Sequence, residues 1–252
     1  MSDFVIVLLI TVRITGALVA APVFGHKSLP VLVKLFLSLF IAYLIFLTLD
    51  TSKIHLELTL WFLVSSALKE MFAGLILGFM LNFVFYGVLY AGSLIGFDMG
   101  IAISNMFDPA EGINSNAIGE MLYFSALLVF LLINGHHYII EGLSFSFVAI
   151  PIGNPILTQS VNDLIIKYSA QVFIIALKIA SPIMVSFFLI HIAEGIIARV
   201  IPQMQVFFVT QPLKLGLGFL ILAGISPIYI YVIKSLLQNY ENQLAAIIRA
   251  MS

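Results

Sequence analysis

The 252-residue chain has no cysteine, a single tryptophan and little charge, with Asp, Glu, Lys and Arg together supplying 9% of it. The absence of cysteine rules out disulfides, thiolate metal sites and a cysteine nucleophile. So few charged side chains cannot cover an ordinary aqueous surface. Eleven Lys and Arg stand against twelve Asp and Glu, a formal charge of -1, which leaves no basic face for nucleic acid and no polybasic tail for a lipid surface. Catalytic patterns are missing too: there is no HExxH, no G-x-S-x-G, no Walker loop and no GxGxxG. His136 and His137 are adjacent, and His191 with Glu194 forms only an H-x-x-E pair, so nothing fixes three metal ligands at a known spacing. These histidines are expected to hydrogen-bond at helix ends, a metal site from His136, His191 and Glu194 being the minor alternative, and no cofactor is expected.

What the chain has instead is apolar length. Hydrophobic residues make 62% of it, and repeated apolar runs of this kind are the mark of spanning helices, so the expected fold is all-α and multi-pass. The first run, residues 4 to 24, lacks the cationic start of a leader peptide and is expected to stay as a helix. Arg13 inside it costs roughly 3 kcal/mol at mid-membrane, which the thirteen Leu, Ile, Val and Phe around it offset. A second segment covers 29 to 49, with Pro30 at its start. Residues 56 to 97 show almost no turn signal; as one helix they would run about 63 Å, twice a hydrocarbon core of about 30 Å. That segment is expected to bend, break or leave the bilayer, with Lys69-Glu70 or Gly87 and Gly92 as break points. Further segments follow at 120 to 150, 164 to 198 and 213 to 238, punctuated by "PIGNP" (151 to 155) and "RVIPQMQVFFVTQP" (199 to 212).

Six alternating spans place Lys27, Lys34, Arg199 and Lys214 on one side and Lys53, Lys167, Lys234 and Arg249 on the other, a tie that leaves orientation unspecified by the positive-inside rule. Either other signals orient the helices, or partners in a larger protein assembly do. Gly74 with Gly78, and Gly92, Gly96 and Gly100, recur every four residues and are expected to let a second backbone approach closely. Ionisable side chains within apolar segments (Arg13, Lys69, Glu70, Asp98, Glu120, Lys178, Glu194, Arg199) are expected to face protein, water or one another. Intramembrane acids such as Asp98 and Glu194 also suit an ion-coupled transporter, although no inverted repeat is visible. Against this background "NMFDPAEGINSNAIG" (105 to 119) is the polar exception; Asp108-Pro109 and Gly112 alone predict a solvent-exposed turn.

"APVFG" at 21 to 25, "AGSLIGFDMG" at 91 to 100, "DP" at 108 to 109, "NGHHYIIEGLSFSFVAIPIG" at 134 to 153 and above all "RVIPQMQVFFVTQPLK" at 199 to 214 resemble, in that order, the FliR family of flagellar type III export-gate proteins, with its injectisome relatives. The resemblance implies a pore-forming subunit without a reaction of its own, in the bacterial cytoplasmic membrane at the flagellar basal body. It implies FliP-type and FliQ-type subunits as partners in a helical cone, FlhB-type and FlhA-type proteins beside it, and unfolded export substrates as cargo. By the same resemblance residues 1 to 160 would form a FliP-like part, including the 104 to 119 loop, and 161 to 252 a FliQ-like hairpin. The loop would plug the resting pore through Asn105, Met106, Phe107, Asp108, Pro109 and Gly112. Arg13, Lys69, Glu70, Lys178 and Glu194 are expected as buried charges matched within the assembly. Arg199, Pro202, Gln203, Val206, Phe207, Pro212 and Lys214 are expected in an intersubunit turn.

Overall fold

The computed structural model describes residues 2–26, 29–49, 59–101, 116–153, 155 and 158–251. Apolar runs free of internal turn chemistry become helices, and among the described residues there is no strand. In chain order the helices are α1 (Ser2–Ala20), α2 (Val31–Thr48), α3 (Leu60–Asp98), α4 (Ala117–Leu132), α5 (Gly135–Ala149), α6 (Gln159–Val200) and α7 (Val206–Met251). Five of these are long and apolar enough to cross a membrane, or six spans result if α4 and α5 count as one. The protein is an all-α, multi-pass membrane protein.

Three expectations change. The 56 to 97 segment neither breaks at Lys69-Glu70 nor at Gly87 and Gly92: α3 runs unbroken for 39 residues, about 58 Å. Its glycines serve close packing instead of interruption. The 120 to 150 segment is two helices, because Asn134 takes a left-handed conformation (φ 58°) that ends the α-helical ladder between Leu132 and Gly135. The last helix extends well past 238 to Met251, since the polar stretch after Leu237 is built of residues that tolerate helix.

The chain divides into two compact units. One comprises 1–83, 130–169 and 237–252. Its core sets Ile6, Leu9, Ile10, Ile14 and Leu18 of α1 against Ile41, Ala42 and Ile45 of α2, with Phe147 and Ile152. The α1–α2 connection is stapled by Lys34, whose Nζ donates to the carbonyls of Gly25 (2.9 Å) and His26 (3.0 Å) and so satisfies acceptors that no helix serves. Beyond α2, α1 meets α3 almost backbone to backbone. A Cβ on Gly74 would stand 2.0 Å from the Arg13 carbonyl oxygen, and one on Gly78 would stand 2.1 Å from that of Ala17. The remaining unit comprises 84–129 and 170–236. There Gly92 packs on the backbone of Gly119, Phe85 meets Tyr123 edge-on at 5.6 Å between ring centres, and the Tyr229 hydroxyl donates to the Leu122 carbonyl at 2.7 Å.

Gly74→Ala and Gly78→Ala should therefore each lower the melting temperature of the detergent-purified protein. Added helix propensity gains about 1 kcal/mol, but forcing two backbones apart costs about 1–3 kcal/mol. Gly96→Ala is the control, because its nearest neighbour would be Ile118 at 3.7 Å. Parent-like melting of both test variants would show that the α1–α3 contact has room to spare.

Candidate functional site: paired charges, the turn between the last helices and the polar loop

α1 carries one cation, Arg13, near its middle, and α3 carries Glu70 at the end of its third turn; both side chains are 0% exposed. Arg13 Nε donates to Glu70 Oε2 at 2.5 Å and one terminal nitrogen donates to Oε1 at 3.1 Å, the bidentate geometry that suits guanidinium and carboxylate. The other terminal nitrogen donates to the Ser146 carbonyl of α5 at 3.0 Å, and the guanidinium carbon lies 4.3 Å from the Phe147 ring centre. Glu70 Oε1 also accepts the backbone N–H of Gly153 at 2.7 Å. Two charges in an apolar interior are tolerable when each is paired and its remaining hydrogen-bonding capacity is used, as it is here. This pair lies within one chain and ties α1, α3, α5 and the segment after α5 together.

A second cluster joins α6 to α7. Lys214, 3% exposed, places its Nζ 2.7 Å from a Glu194 carboxylate oxygen, and Glu194 also accepts from the Thr210 hydroxyl. His191 Nδ1 lies 3.0 Å from Glu194 and 3.2 Å from Lys214 Nζ. That nitrogen can donate to the carboxylate or accept from the ammonium, but not both at once. Lys214 is thus an interior cation of α7 and not a loop charge.

The stretch 199 to 214 is correspondingly less of a turn than its sequence predicts. Arg199 lies in the last turn of α6, the connection is only 201 to 205, and Val206, Phe207, Pro212 and Lys214 lie in α7, whose start at Val206 lets Pro212 fall inside the helix. The connection is held by Met204 N–H on the Ile201 carbonyl (3.1 Å) and Val206 N–H on the Met204 carbonyl (2.8 Å). Pro202 and Gln203 are exposed, Val206 is buried, and Phe207 and Phe208 are exposed at 46% and 65%. Of the other charged candidates, Lys69 and Lys178 are exposed on α3 and α6.

Asn105, Met106, Phe107, Asp108, Pro109 and Gly112 lie outside the described residues. Their flanks are well held. On one side Met99 offers its carbonyl to Gln211 Nε2 at 2.7 Å, next to Gly100, whose φ of 77° suits glycine. On the other, Asn116 caps α4: its Oδ1 accepts the Gly119 N–H at 3.0 Å, and its Nδ2 donates to Ser93 Oγ at 2.6 Å. Sequence reasoning missed Ser146, Gly153, Thr210 and Asn116 as partners. Only Asn116 had a local signal, an Asn just before an apolar run.

A family model described as bacterial export proteins, family 1, matches residues 4–240. Among curated proteins, the chain is similar to the flagellar biosynthetic protein FliR of Bacillus subtilis (strain 168), 33% identical over 247 residues that cover 95% of each chain. It is 32% identical to the protein of that name from Pectobacterium carotovorum over 244 residues, covering 96% of this chain and 92% of the relative. For the one from Escherichia coli (strain K12) the figures are 29% over 236 residues, 94% and 90%.

Proposed function

The chain belongs to the bacterial export proteins, family 1, and from that premise we propose that it acts as the FliR-type, pore-forming subunit of a flagellar type III export gate. It is a structural component of flagellar protein export. The match over 4–240 carries this reading, since it takes in every helix in whole or in part. In this role it sits in the bacterial cytoplasmic membrane at the basal body. It assembles with FliP-type and FliQ-type subunits, next to FlhB-type and FlhA-type proteins, around a path for unfolded flagellar proteins. Residues 1 to 160 form its FliP-like part and 161 to 252 its FliQ-like hairpin. The loop containing Met106 and Phe107 closes the resting path, because a narrow apolar constriction excludes water and ions by dewetting. Arg13, Lys69, Glu70, Lys178 and Glu194 are the charges whose matching, within this chain or by what surrounds it, the assembly depends on.

Co-expression with FliP-type and FliQ-type partners, mild detergent extraction and native mass spectrometry test the role. One copy of this chain should travel with two other small hydrophobic proteins. Recovery of the chain only by itself, or as a homo-oligomer, would sink the proposal.

The 201 to 205 connection is proposed as an intersubunit contact on account of the apolar side chains it leaves uncovered, Ile201, Phe207 and Phe208 among them. Cysteine in place of Gln203 or Gln205 should react with a water-soluble maleimide in the isolated chain and be protected in the complex. Equal labelling in both states would count against the contact.

A further inference from the structure

Within the unit formed by 84–129 and 170–236, α3, α4, α6 and α7 line a half-open cavity of about 350 Å³. Its wall is apolar, with Leu122, Ile179, Ile183, Phe219 and Tyr229 among its members, and Lys178 is its one charged residue. Both long helices carry a proline beside it, Pro182 in α6 and Pro227 in α7, and continue through it. A proline leaves the carbonyl four residues earlier without its helical donor. Here the preceding serine fills the gap in each case: Ser181 Oγ donates to the Lys178 carbonyl at 3.2 Å and Ser226 Oγ to the Ala223 carbonyl at 2.9 Å. The Tyr229 hydroxyl is occupied by the Leu122 carbonyl. The polar groups of the wall are thereby satisfied from within. The Lys178 ammonium is the exception: it makes no hydrogen bond or ion pair among the described residues.

We propose that this cavity is a binding site for an anionic phospholipid, with one acyl chain against the apolar wall and a headgroup phosphate oxygen accepting from Lys178 Nζ. The size is at the lower end of ligand cavities, and an apolar lining with one placed charge is their usual chemistry. A cation on an apolar helix needs a counter-charge, and a lipid brings anion and hydrocarbon in one molecule. A partner helix would have to bury its own carboxylate there at a desolvation cost, whereas a phospholipid carries its anion already joined to the hydrocarbon that fills the wall. The site is complete within this chain and so stands apart from which subunits surround it.

The test uses the purified full chain in detergent, with phosphatidylglycerol and phosphatidylcholine of identical acyl chains as probes and native mass spectrometry as readout. Phosphatidylglycerol should be retained about tenfold better than phosphatidylcholine: both offer a phosphate oxygen to Lys178, but phosphatidylcholine also brings a choline cation against the ammonium, a partly screened like-charge opposition. Lys178→Gln should erase that preference and Lys178→Arg should keep it. Ala223→Phe, which fills the cavity from its wall, should reduce retention of both lipids. Equal retention of the two lipids by the parent, a Lys178→Gln variant that discriminates like the parent, or undiminished binding by Ala223→Phe would each overturn the site. So would a photocrosslinker at position 223 that captures a partner chain instead of lipid in the assembled complex.

Discussion

Arg13→Leu should leave the chain inserted in the membrane yet abolish recovery of folded protein and of the assembled complex. Insertion improves, because the variant removes a residue that costs roughly 3 kcal/mol at the bilayer centre. Folding fails for the opposite reason. Arg13 is the partner of Glu70, which is wholly buried, and removing one member of a buried pair costs about 3–5 kcal/mol because the other is left as an uncompensated charge. Such a loss is a large share of the roughly 5–15 kcal/mol that holds an ordinary fold together. Replacing both, Arg13→Leu with Glu70→Leu, should restore most of the loss, since an apolar pair in the same space is often neutral. Recovery would stop short of complete. The Gly153 N–H loses its acceptor, whereas the Ser146 carbonyl keeps the Ile150 N–H at 2.8 Å. Glu70→Gln should be milder than Glu70→Leu as a single change, because an amide oxygen can still accept from Arg13 and Gly153. The measurement compares membrane-inserted protein with monodisperse protein after extraction. A single variant that extracts and assembles like the parent would show that the pair is dispensable.

Removal of residues 106 to 115, with a Gly-Ser bridge, should yield complexes that assemble and leak. As a connector the loop is cheap to shorten, since closure changes by only about 0.6 kcal/mol per doubling of length. As a plug it is not, because Met106 and Phe107 would give way to space that water and ions can wet. The deletion must stop before Asn116. That residue caps α4 and clasps Ser93 of α3, so losing it would damage the fold by about 1 kcal/mol or more and confuse the result. A Gly-Ser insertion at 51 to 55 serves as the matched control and should not alter permeability. If the deleted complex is recovered intact and dye-flux or patch recordings match the parent, the stretch is a turn and the resting seal lies elsewhere.

Several features could be read directly along the chain because their causes are local. The four-residue spacing of Gly74 and Gly78 signals close backbone approach in any helix, and α1 is the backbone that approaches. The i, i+3 spacing of His191 and Glu194 places them on one helical face whatever surrounds them, and they do meet. Other features depend on distant residues. Arg13 and Glu70 are 57 positions apart, and Lys214 reaches Glu194 across 20, so their pairing could be expected in kind but not assigned in detail.

Composition was enough to decide the solvent and therefore the class: a chain that is 62% hydrophobic can satisfy its backbone in lipid only through helices, or through a closed barrel that its long apolar runs do not suit. The order of its short motifs was enough to indicate the family. Where helices stop was less legible, because an apolar run looks the same on either side of Asn134, and because proline need not end a helix: Pro212, read as punctuation along the sequence, lies inside α7. Which charges pair was decided only by the three-dimensional packing. Burial removes water as the alternative partner, so each ion must find another within a few ångströms, and only the folded chain specifies who stands at that distance.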